Sequence, residues 1–267
     1  MKKILVAGCA LFAMTIIQAQ QKEGTVIYER TTQIQIRIND GHEGMENMLP
    51  KQRKDNFELI FGNNQSLWKQ AEKEQEGTED FGGGGVQIRM IGGGTDDVLY
   101  NNLETKVRVE QRDMFEKKFI IDDSIRPLKW KMTAETKTIL GHTCMKATAT
   151  QTSIRTQMTM DNGKMERKQV EDTSLIVAWF ATDIPVSAGP AEYQGQLPGL
   201  ILEMDVANGR QVFKALEISS KADIASIKAP TGKKRYTREE YRKEVDKMID
   251  EMQRNNSGPG RVMRFSN

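Results

Sequence analysis

The sequence of 267 residues is long enough to bury a substantial core, as one large domain or two small ones. Hydrophobic residues make up 37% of it and charged residues 28%, which is typical of globular domains. The 39 basic and 37 acidic residues give a formal charge of +2. A charge so close to zero removes the electrostatic attraction on which nucleic-acid binding depends, so we expect no nucleic-acid partner.

Residues 1–19 have the pattern of an export signal peptide. Lys2 and Lys3 precede an apolar run over residues 4–17, and the small residue Ala19 follows it. The run is too short to span a bilayer. We expect cleavage after Ala19 and a periplasmic or secreted mature chain without a transmembrane segment. The leader removes two lysines and no acid, so the mature chain is expected to carry no net charge.

The two cysteines are not expected to pair. Cys9 lies in the leader, in a Val-Ala-Gly-Cys string that looks like a lipoprotein cleavage box, and lipidation there is the alternative to cleavage at Ala19. Removal of Cys9 leaves Cys144 alone in the mature chain. Because Cys144 lies in a strand-like stretch, we expect it to be a buried small hydrophobe.

In chain order, the hydrophobic pattern is mostly that of β-strands. Residues 24–38 alternate isoleucine with polar residues near their end, which is typical of a sheet with one solvated face. Residues 57–61 and 66–71 flank Gly62-Asn63-Asn64 and predict a hairpin. Further strands are predicted at residues 86–91, 106–111, 119–122, 128–132 and 144–151.

Three dipeptides predict turns in the second half of the chain. Asn162-Gly163 and Asn208-Gly209 each separate two strand-like runs, and both residue types accept the positive φ of a two-residue hairpin turn. In Pro198-Gly199, proline presets the φ of the first central position, and glycine is expected to take the positive φ of the second. This pair is therefore predicted to redirect the chain just before a strand.

One helix is predicted near the C-terminus, over about residues 237–254. Thr237 and Glu240 have the spacing of a capping box. Apolar residues recur on one face at helical spacing, namely Tyr241, Val245, Met248, Ile249 and Met252. We expect this stripe to pack on the sheet, and binding to a groove or a membrane surface is the alternative.

These patterns together predict a mainly β fold, a curved antiparallel sheet or half-barrel of hairpins with a C-terminal amphipathic helix (α+β). Residues 20–256 are expected to form a single domain that ends in the helix. Residues 257–267 are expected to be a flexible tail.

No familiar catalytic or metal-binding motif is present in the sequence. His42 and His142 have no His or Cys companion at a ligand spacing, there is no G-x-S-x-G string, and Cys144 has no base close in sequence. We therefore expect a protein that is not an enzyme and holds no cofactor or metal. Carboxylates that converge only in three dimensions would make an enzyme, and thioethers at Met158 and Met160 would suit copper(I).

The string at residues 195–203, Gly-Gln-Leu-Pro-Gly-Leu-Ile-Leu-Glu, resembles the GLPGLI family of exported Bacteroidetes proteins. Leu-Pro-Gly-Leu-Ile is intact at residues 197–201, whereas Gln196 replaces the first glycine of the family name. The supporting positions are Trp130, residues 137–147, Trp179, Ile184, Pro185, Gly189 and Pro190. The resemblance extends from about Gly24 into the predicted helix. It implies an envelope protein of unknown biochemical role, often encoded near TonB-dependent outer-membrane receptors, and it supplies no catalytic residue.

The sequence thus predicts an exported, non-enzymatic periplasmic binding or accessory protein of the cell envelope, one that serves an outer-membrane transport system. Its partner is expected to be an envelope protein or an amphiphile. The predicted binding surface consists of aromatic, apolar and turn residues, namely Trp179, Tyr193, Leu197, Pro198, Gly199 and Leu200. A methionine-rich copper protein and a carrier of a lipid or other amphiphile are the alternatives.

Overall fold

The structure is a computed structural model, and it describes residues 21–33, 51–71, 97–115, 117–161 and 164–256. Across these residues, twelve strands form one sheet and one α-helix follows them. The strands are β1 (Gly24–Gln33), β2 (Gln52–Gly62), β3 (Gln65–Gln70), β4 (Val98–Asn102), β5 (Val107–Met114), β6 (Lys117–Ser124), β7 (Lys131–Ile139), β8 (His142–Asp161), β9 (Lys164–Ala181), β10 (Leu200–Val206), β11 (Gln211–Ser219) and β12 (Arg235–Thr237). The helix is α1 (Arg238–Asn256).

The sheet is an open series of hairpins in the order β12-β6-β5-β4-β3-β2-β1-β11-β10-β9-β8-β7. Neighbouring strands run antiparallel except for β12, which pairs with β6 in parallel, so the sheet is mixed. β1 joins the two halves, because it pairs with β2 on one side and with β11 on the other. The predicted mainly β fold with a C-terminal helix is confirmed.

The sheet curves strongly around one of its faces. If it were flat, strands about 4.8 Å apart would place β6 and β8 roughly 43 Å from each other. Nevertheless, Asp123 of β6 and Gln151 of β8 line the same cavity. We call the face toward this cavity the concave face and the opposite one the convex face.

Side chains alternate between the two faces as the strand period requires. On the concave face lies the main core, in which Trp68 stacks on Phe57 with ring centroids 4.9 Å apart and also contacts Tyr28 and Phe213. A smaller core on the convex face forms where Ile227 packs against apolar side chains of five strands, namely Ile60, Leu67, Tyr100, Val109 and Ile120. Both faces of the central strands are therefore buried.

The hairpin turns agree with the sequence in part. Asn63 and Asn64 both have positive φ and connect the paired residues Gly62 and Gln65, so the predicted hairpin is confirmed. The turn at Asn208-Gly209 is longer than predicted, because four residues separate the paired Val206 and Gln211. Its first residue, Ala207, also has positive φ, and the Asp205 carboxylate accepts a hydrogen bond from the Gly209 amide. Residues 162–163 lie outside the described part of the chain.

Most of the strands predicted within the described residues correspond to strands of the structure, although their ends differ. β4 and β12 are strands that the pattern did not predict, and of the predicted strand at residues 128–132 only Lys131 and Met132 belong to β7. Other predictions lie outside the described residues: the signal peptide, residues 34–38, the strand at 86–91 and the tail at 257–267.

The helix α1 begins as the sequence predicts. The Thr237 amide donates to the Glu240 carboxylate at 2.7 Å, and the Glu240 amide donates to Thr237 Oγ1 at 3.2 Å, which is a capping box. Tyr241, with Val245 and Met248 one and two turns later, packs against a part of the concave face that contains Phe119 and Ile121. The helix therefore covers the end of the concave face next to β6. Among the described residues, no helix has both the length and the apolar character needed to cross a membrane.

Residues 182–199, which connect β9 to β10, fold back onto the concave face. Ile184, Ala188, Tyr193 and Leu197 of this segment are all at least 97% buried in the main core. Backbone hydrogen bonds tie the segment to β10, since the Ile201 amide donates to the Ala188 carbonyl at 3.0 Å. Two elements thus pack on the concave face, α1 at one end and the 182–199 segment at the other.

The prediction that Gly199 takes a positive φ is wrong, because only Gly141, Gly195 and Gly209 do so among the described glycines. The physical reason for glycine here is a close approach of two chain segments. A Cβ atom at position 199 would lie 2.1 Å from the carbonyl oxygen of Ala181. Glycine is required because β10 begins directly against the end of β9, with which Leu200 pairs.

Candidate functional site

The concave face holds a cleft of about 810 Å³ between α1 and the 182–199 segment. Arg238 and Arg242 line it from the helix, and Ala191, Tyr193 and Gln196 line it from the segment. The rest of the wall comes from the concave side of the sheet, because β1 to β6, β8 and β11 all contribute side chains. The cleft is thus formed by sheet curvature and by the two elements that stand on the sheet.

One part of the wall is aromatic. Phe57 of β2, Trp68 of β3 and Phe213 of β11 line the cleft, and the Trp68 ring packs against both of the other rings. The guanidinium of Arg30 lies over the Phe57 ring, 4.4 Å from its centroid, and is held there by an ion pair of 3.0 Å with Asp55. Such a surface can accept an apolar or flat group of a ligand and retain a cation at its margin.

The remaining wall is rich in arginine. Six arginines and four carboxylates line the cleft, so its formal charge is positive although the mature chain is expected to carry none. The arginines are Arg30, Arg108, Arg112, Arg126, Arg238 and Arg242, and the carboxylates are Asp97, Glu110, Asp123 and Glu192.

Ion pairs on the cleft wall connect α1 to the sheet. Arg238 Nε donates to Asp123 Oδ2 at 2.6 Å, and its Nη2 donates to Glu110 Oε2 at 2.9 Å. Glu110 also accepts a hydrogen bond from Arg112, its neighbour two residues along β5. The two carboxylates are therefore occupied by the cationic groups of Arg238 and Arg112.

Arg108 differs from the other arginines of the cleft because it is buried and has only neutral partners. The residue is 6% exposed, its Nε donates to Asn101 Oδ1 at 2.9 Å, and its Nη2 donates to the Glu192 backbone carbonyl at 2.6 Å. No carboxylate among the described residues forms an ion pair with it. Burial lowers the pKa of Arg108. The charge of Arg238 acts in the same direction, whereas the carboxylates of Glu192, Asp123 and Glu110 oppose it without forming an ion pair.

A buried polar cluster fixes the 182–199 segment to the sheet beside Arg108. Gln194 and Ser66 are fully buried, and the Ser66 hydroxyl donates to the Gln194 side-chain oxygen. Gln196 accepts two hydrogen bonds of 3.0 Å, from the Leu128 amide and from the indole of Trp130. Gln196 thus has a specific role, because its amide side chain joins the segment to the chain before β7.

The carboxyl group of Asp97 stands apart from these ion pairs. Burial raises the pKa of Asp97, and its Oδ1 accepts a hydrogen bond from the Asp113 amide at 3.0 Å. A carboxyl group in a cleft with a raised pKa is what a general acid requires. Asp97 is therefore the residue that an enzymatic use of this cleft would involve first.

The sequence-predicted binding residues divide between the core, the cleft and the convex face. Tyr193 lines the cleft and donates a hydrogen bond of 3.3 Å to Gln151. Leu197, Gly199 and Leu200 are buried, and Pro198 is exposed. Trp179 lies on the face of β9 opposite to the buried Phe180, with the ammonium groups of Lys137 and Lys146 at 4.4 and 5.8 Å from its ring centroid.

The charged residues of the cleft were not predicted as a site. In β5, Arg108, Glu110 and Arg112 alternate with Val107, Val109 and Gln111, and such alternation usually indicates a solvated face. The sequence does contain one indication of this site. Arg238 and Arg242 lie in the first turn and a half of α1, and because Tyr241 packs this helix on the sheet, both arginines must lie near the sheet.

Of the residues named for a copper site or a reactive thiol, only Cys144 has a side chain that the structure describes. Cys144 is fully buried, as the sequence predicts, and burial raises the pKa of its thiol to about 11. The side chains of Met158 and Met160 lie outside the described part of the structure, although the backbone of both belongs to β8. Where side chains are described, no group of three or more His, Cys, Asp or Glu residues is gathered for a metal.

The ion pairs of Asp123 give a pH prediction. Burial favours the neutral acid, but hydrogen bonds from Arg238 and the Ser124 amide outweigh it and hold the pKa of Asp123 below its usual 3.8. A depressed folded-state pKa stabilises the fold above the unfolded-state value, and that stabilisation is lost as the pH falls through the folded-state pKa. We expect wild type to melt at a higher temperature than Asp123→Asn at pH 7, and the difference to shrink below about pH 3.8.

A neighbouring ion pair supplies the control for that prediction. Asp122 pairs with Arg235 in an exposed position, and its pKa is also lowered by that partner. Exposed pairs contribute little to stability, so Asp122→Asn should change the melting temperature less at every pH. A difference between wild type and Asp123→Asn that stays constant down to pH 2 would contradict the prediction.

A family model described as a protein of unknown function (Porph_ging) matches residues 130–203. The match includes the 182–199 segment and residues 197–201, and it excludes β5 and α1. A comparison with curated proteins finds no match. The arginines of the cleft wall therefore lie outside the matched region.

Among solved structures, PNGF-II in space group P21 is similar to this chain, with a TM-score of 0.50 and 16% identity. The alignment covers 85% of this chain and 33% of the PNGF-II chain. The same protein in space group C2 gives a TM-score of 0.48 and 18% identity over the same shares of both chains. This chain spans about a third of the length of PNGF-II, and the likeness to the P21 structure concerns the fold.

Proposed function

We propose that this chain is an exported, non-enzymatic binding protein of the cell envelope, and that its ligand is a small amphiphile held in the concave cleft. The observation that carries the proposal is the cleft itself. Its volume of about 810 Å³ lies in the range of sites for small molecules, roughly 300 to 1,000 Å³. The location in the envelope rests on the export signal expected from residues 1–19.

The character of the wall supports an amphiphile as the ligand. Phe57, Trp68 and Phe213 can surround an apolar chain or ring, whereas the arginines of β5 and α1 can hold a polar head. A protein partner is less favoured for this site, because the cleft lies between α1 and the 182–199 segment, whereas protein interfaces are usually larger surfaces. A role beside an outer-membrane transport system is part of the proposal and rests on the family resemblance.

An enzyme is the second candidate, and Asp97 favours it. Its raised pKa suits a proton donor, but Glu110 and Asp123 are occupied by Arg238, and the remaining carboxylate of the cleft, Glu192, belongs to an exposed residue. The binding proposal expects glycerol monodecanoate to be recovered unchanged after incubation with the protein. Hydrolysis that disappears in Asp97→Asn would contradict the non-enzymatic proposal.

Trp68 makes the binding proposal testable, because of the three tryptophans it alone lines the cleft among the described residues. We expect decanoate or decyl glucoside, added below the concentration at which micelles form, to change the tryptophan fluorescence of the mature protein with saturation. Trp68→Phe should lose most of the change because the reporter next to the ligand is removed.

Trp179→Phe is the matched variant for this titration, since Trp179 belongs to the surface predicted from sequence and not to the cleft. It should retain the fluorescence change. Loss of the signal in Trp179→Phe with retention in Trp68→Phe would place the ligand on the sequence-predicted surface and contradict the cleft. Calorimetry that detects no binding of either amphiphile would contradict the proposed function.

A further inference from the structure

The starting observation is a buried guanidinium that forms no ion pair with any carboxylate of the described residues. A buried charge is costly unless it is paired, and arginine is almost never fully buried without a carboxylate or another anion. Arg108 has two neutral acceptors, the Asn101 side-chain oxygen and the Glu192 carbonyl, which use its Nε and one hydrogen of Nη2. Three of its five N–H groups therefore have no acceptor among the described residues.

The free side of this guanidinium faces the cleft. Arg108 belongs to the cleft wall, and its Nη1 is not among the enclosed side-chain atoms that lack a hydrogen-bond partner. Its two fixed acceptors hold the group from the sheet side and from the 182–199 segment, so the orientation of the fork is set before any ligand arrives. A planar fork of this kind matches a carboxylate or phosphate group in two parallel hydrogen bonds.

The carboxylates of Glu192, Asp123 and Glu110 act on Arg108 from a distance, but none of them forms an ion pair with it. Arg238 is close enough to lower the pKa of Arg108, and its own charge is offset by Glu110 and Asp123. Arg242 lines the same cleft from α1, and it forms no ion pair within the described part of the chain. The cleft therefore contains two guanidinium groups without a carboxylate partner, one buried and one exposed.

We propose that Arg108 binds the oxyanionic head of the amphiphile, a carboxylate or phosphate, while Phe57, Trp68 and Phe213 hold its apolar part. Arg242 contributes a second, solvent-exposed positive charge to the same head. This proposal rests on the proposed function, because it names the class of ligand that the cleft selects. Uncharged and cationic heads leave the buried guanidinium unpaired and are bound more weakly.

A purely structural role for Arg108 predicts different behaviour. In that case its hydrogen bond to the Glu192 carbonyl would only hold the 182–199 segment in place. Replacement would then lower the melting temperature and would weaken all amphiphiles by the same factor. The discriminating quantity is therefore the ratio of two affinities, measured for ligands that share a chain and differ in the head.

The experiment measures the Kd of decanoate, decyl glucoside and decyltrimethylammonium by calorimetry with the whole mature protein. Wild type should bind decanoate about 10-fold or more tightly than decyl glucoside, which corresponds to one charge-assisted hydrogen-bonded contact. Arg108→Gln should remove that preference and leave the Kd of decyl glucoside within about twofold. Arg108→Lys should retain part of the preference, because it keeps the charge and loses the fork.

Two more variants keep the test decisive if Arg108→Gln does not fold. Arg242→Gln changes an exposed side chain and should weaken decanoate about threefold without affecting decyl glucoside. Lys214→Gln removes one positive charge from an exposed position of β11 next to the buried Phe213, on the opposite face, and should change neither Kd.

The possible results separate the two proposals. If no amphiphile binds wild type, the proposed function fails. If decanoate, decyl glucoside and decyltrimethylammonium bind equally, or if Arg108→Gln and Arg108→Lys keep the full preference for decanoate, the cleft binds amphiphiles and the role of Arg108 is overturned. Inorganic phosphate that binds as tightly as decanoate would also overturn it, because the site would then select a free anion.

Discussion

Replacement of Leu197 by alanine is expected to lower the free energy of unfolding by about 2 to 5 kcal/mol. Leu197 is 2% exposed and packs in the main core with Tyr193 and Leu200. Truncation removes buried apolar atoms and leaves a cavity between the 182–199 segment and the sheet, which the backbone bonds of that segment prevent from collapsing. Urea denaturation of wild type and variant measures the loss.

The adjacent Pro198 is the matched control, because it lies next to Leu197 in the same segment but is exposed. Pro198→Ala should change the free energy of unfolding by no more than about 0.5 to 1 kcal/mol. The sequence-based interpretation of this stretch as a contact surface requires the opposite, since a loop-tip leucine can be removed without loss of stability. A Leu197→Ala protein as stable as wild type would contradict the packing described for the segment.

Replacement of Gly199 by alanine is expected to destabilise the fold by about 3 kcal/mol. The new Cβ atom would lie 2.1 Å from the Ala181 carbonyl oxygen, and this neighbour is backbone in a paired strand, so β9 and β10 must separate to admit it. The strain is steric and does not come from φ, because Gly199 has no positive φ. Thermal unfolding should show a fall of roughly 6 to 12 °C.

Gly141 separates the two reasons for glycine. It has a φ of +83° in the turn between β7 and β8, and no heavy atom lies within 4 Å of a Cβ built on it. Gly141→Ala should therefore cost only the strain of a left-handed alanine, about 1 to 2 kcal/mol. If Gly199→Ala destabilised the protein less than Gly141→Ala, the close approach between β9 and β10 would be refuted.

Local signals in the sequence predict much of this fold. The Asn63-Asn64 turn, the capping box at Thr237 and Glu240, and the apolar stripe that begins at Tyr241 depend on residues close in the chain. Their chemistry acts over a few residues, so it can be recognised in a single sequence. The parallel pairing of β12 with β6 joins residues more than a hundred positions apart and leaves no such local signal.

The candidate site depends on curvature, which a strand pattern does not encode. The alternation of Arg108 and Glu110 with valine predicts one polar face, and the structure confirms two distinct faces. The polar face of β5 is nevertheless 93 to 94% buried at these two residues, because the sheet bends around it and α1 and the 182–199 segment cover it. Tyr193 and Leu197 were predicted to lie on a binding surface, because connections between strands usually lie on the surface. In the structure this connection folds inward and buries both side chains.

The central claim is that an amphiphile occupies the concave cleft with its apolar part against the aromatic wall. The most direct measurement is photolabelling with a decanoate analogue that carries a diazirine near the end of its chain, followed by mass spectrometry of the labelled peptides. We predict labels in β2, β3 and β11, at or beside Phe57, Trp68 and Phe213, and their suppression by excess decanoate. Labels confined to the convex face around Ile224 and Ile227, or labels that excess decanoate does not suppress, would contradict the claim.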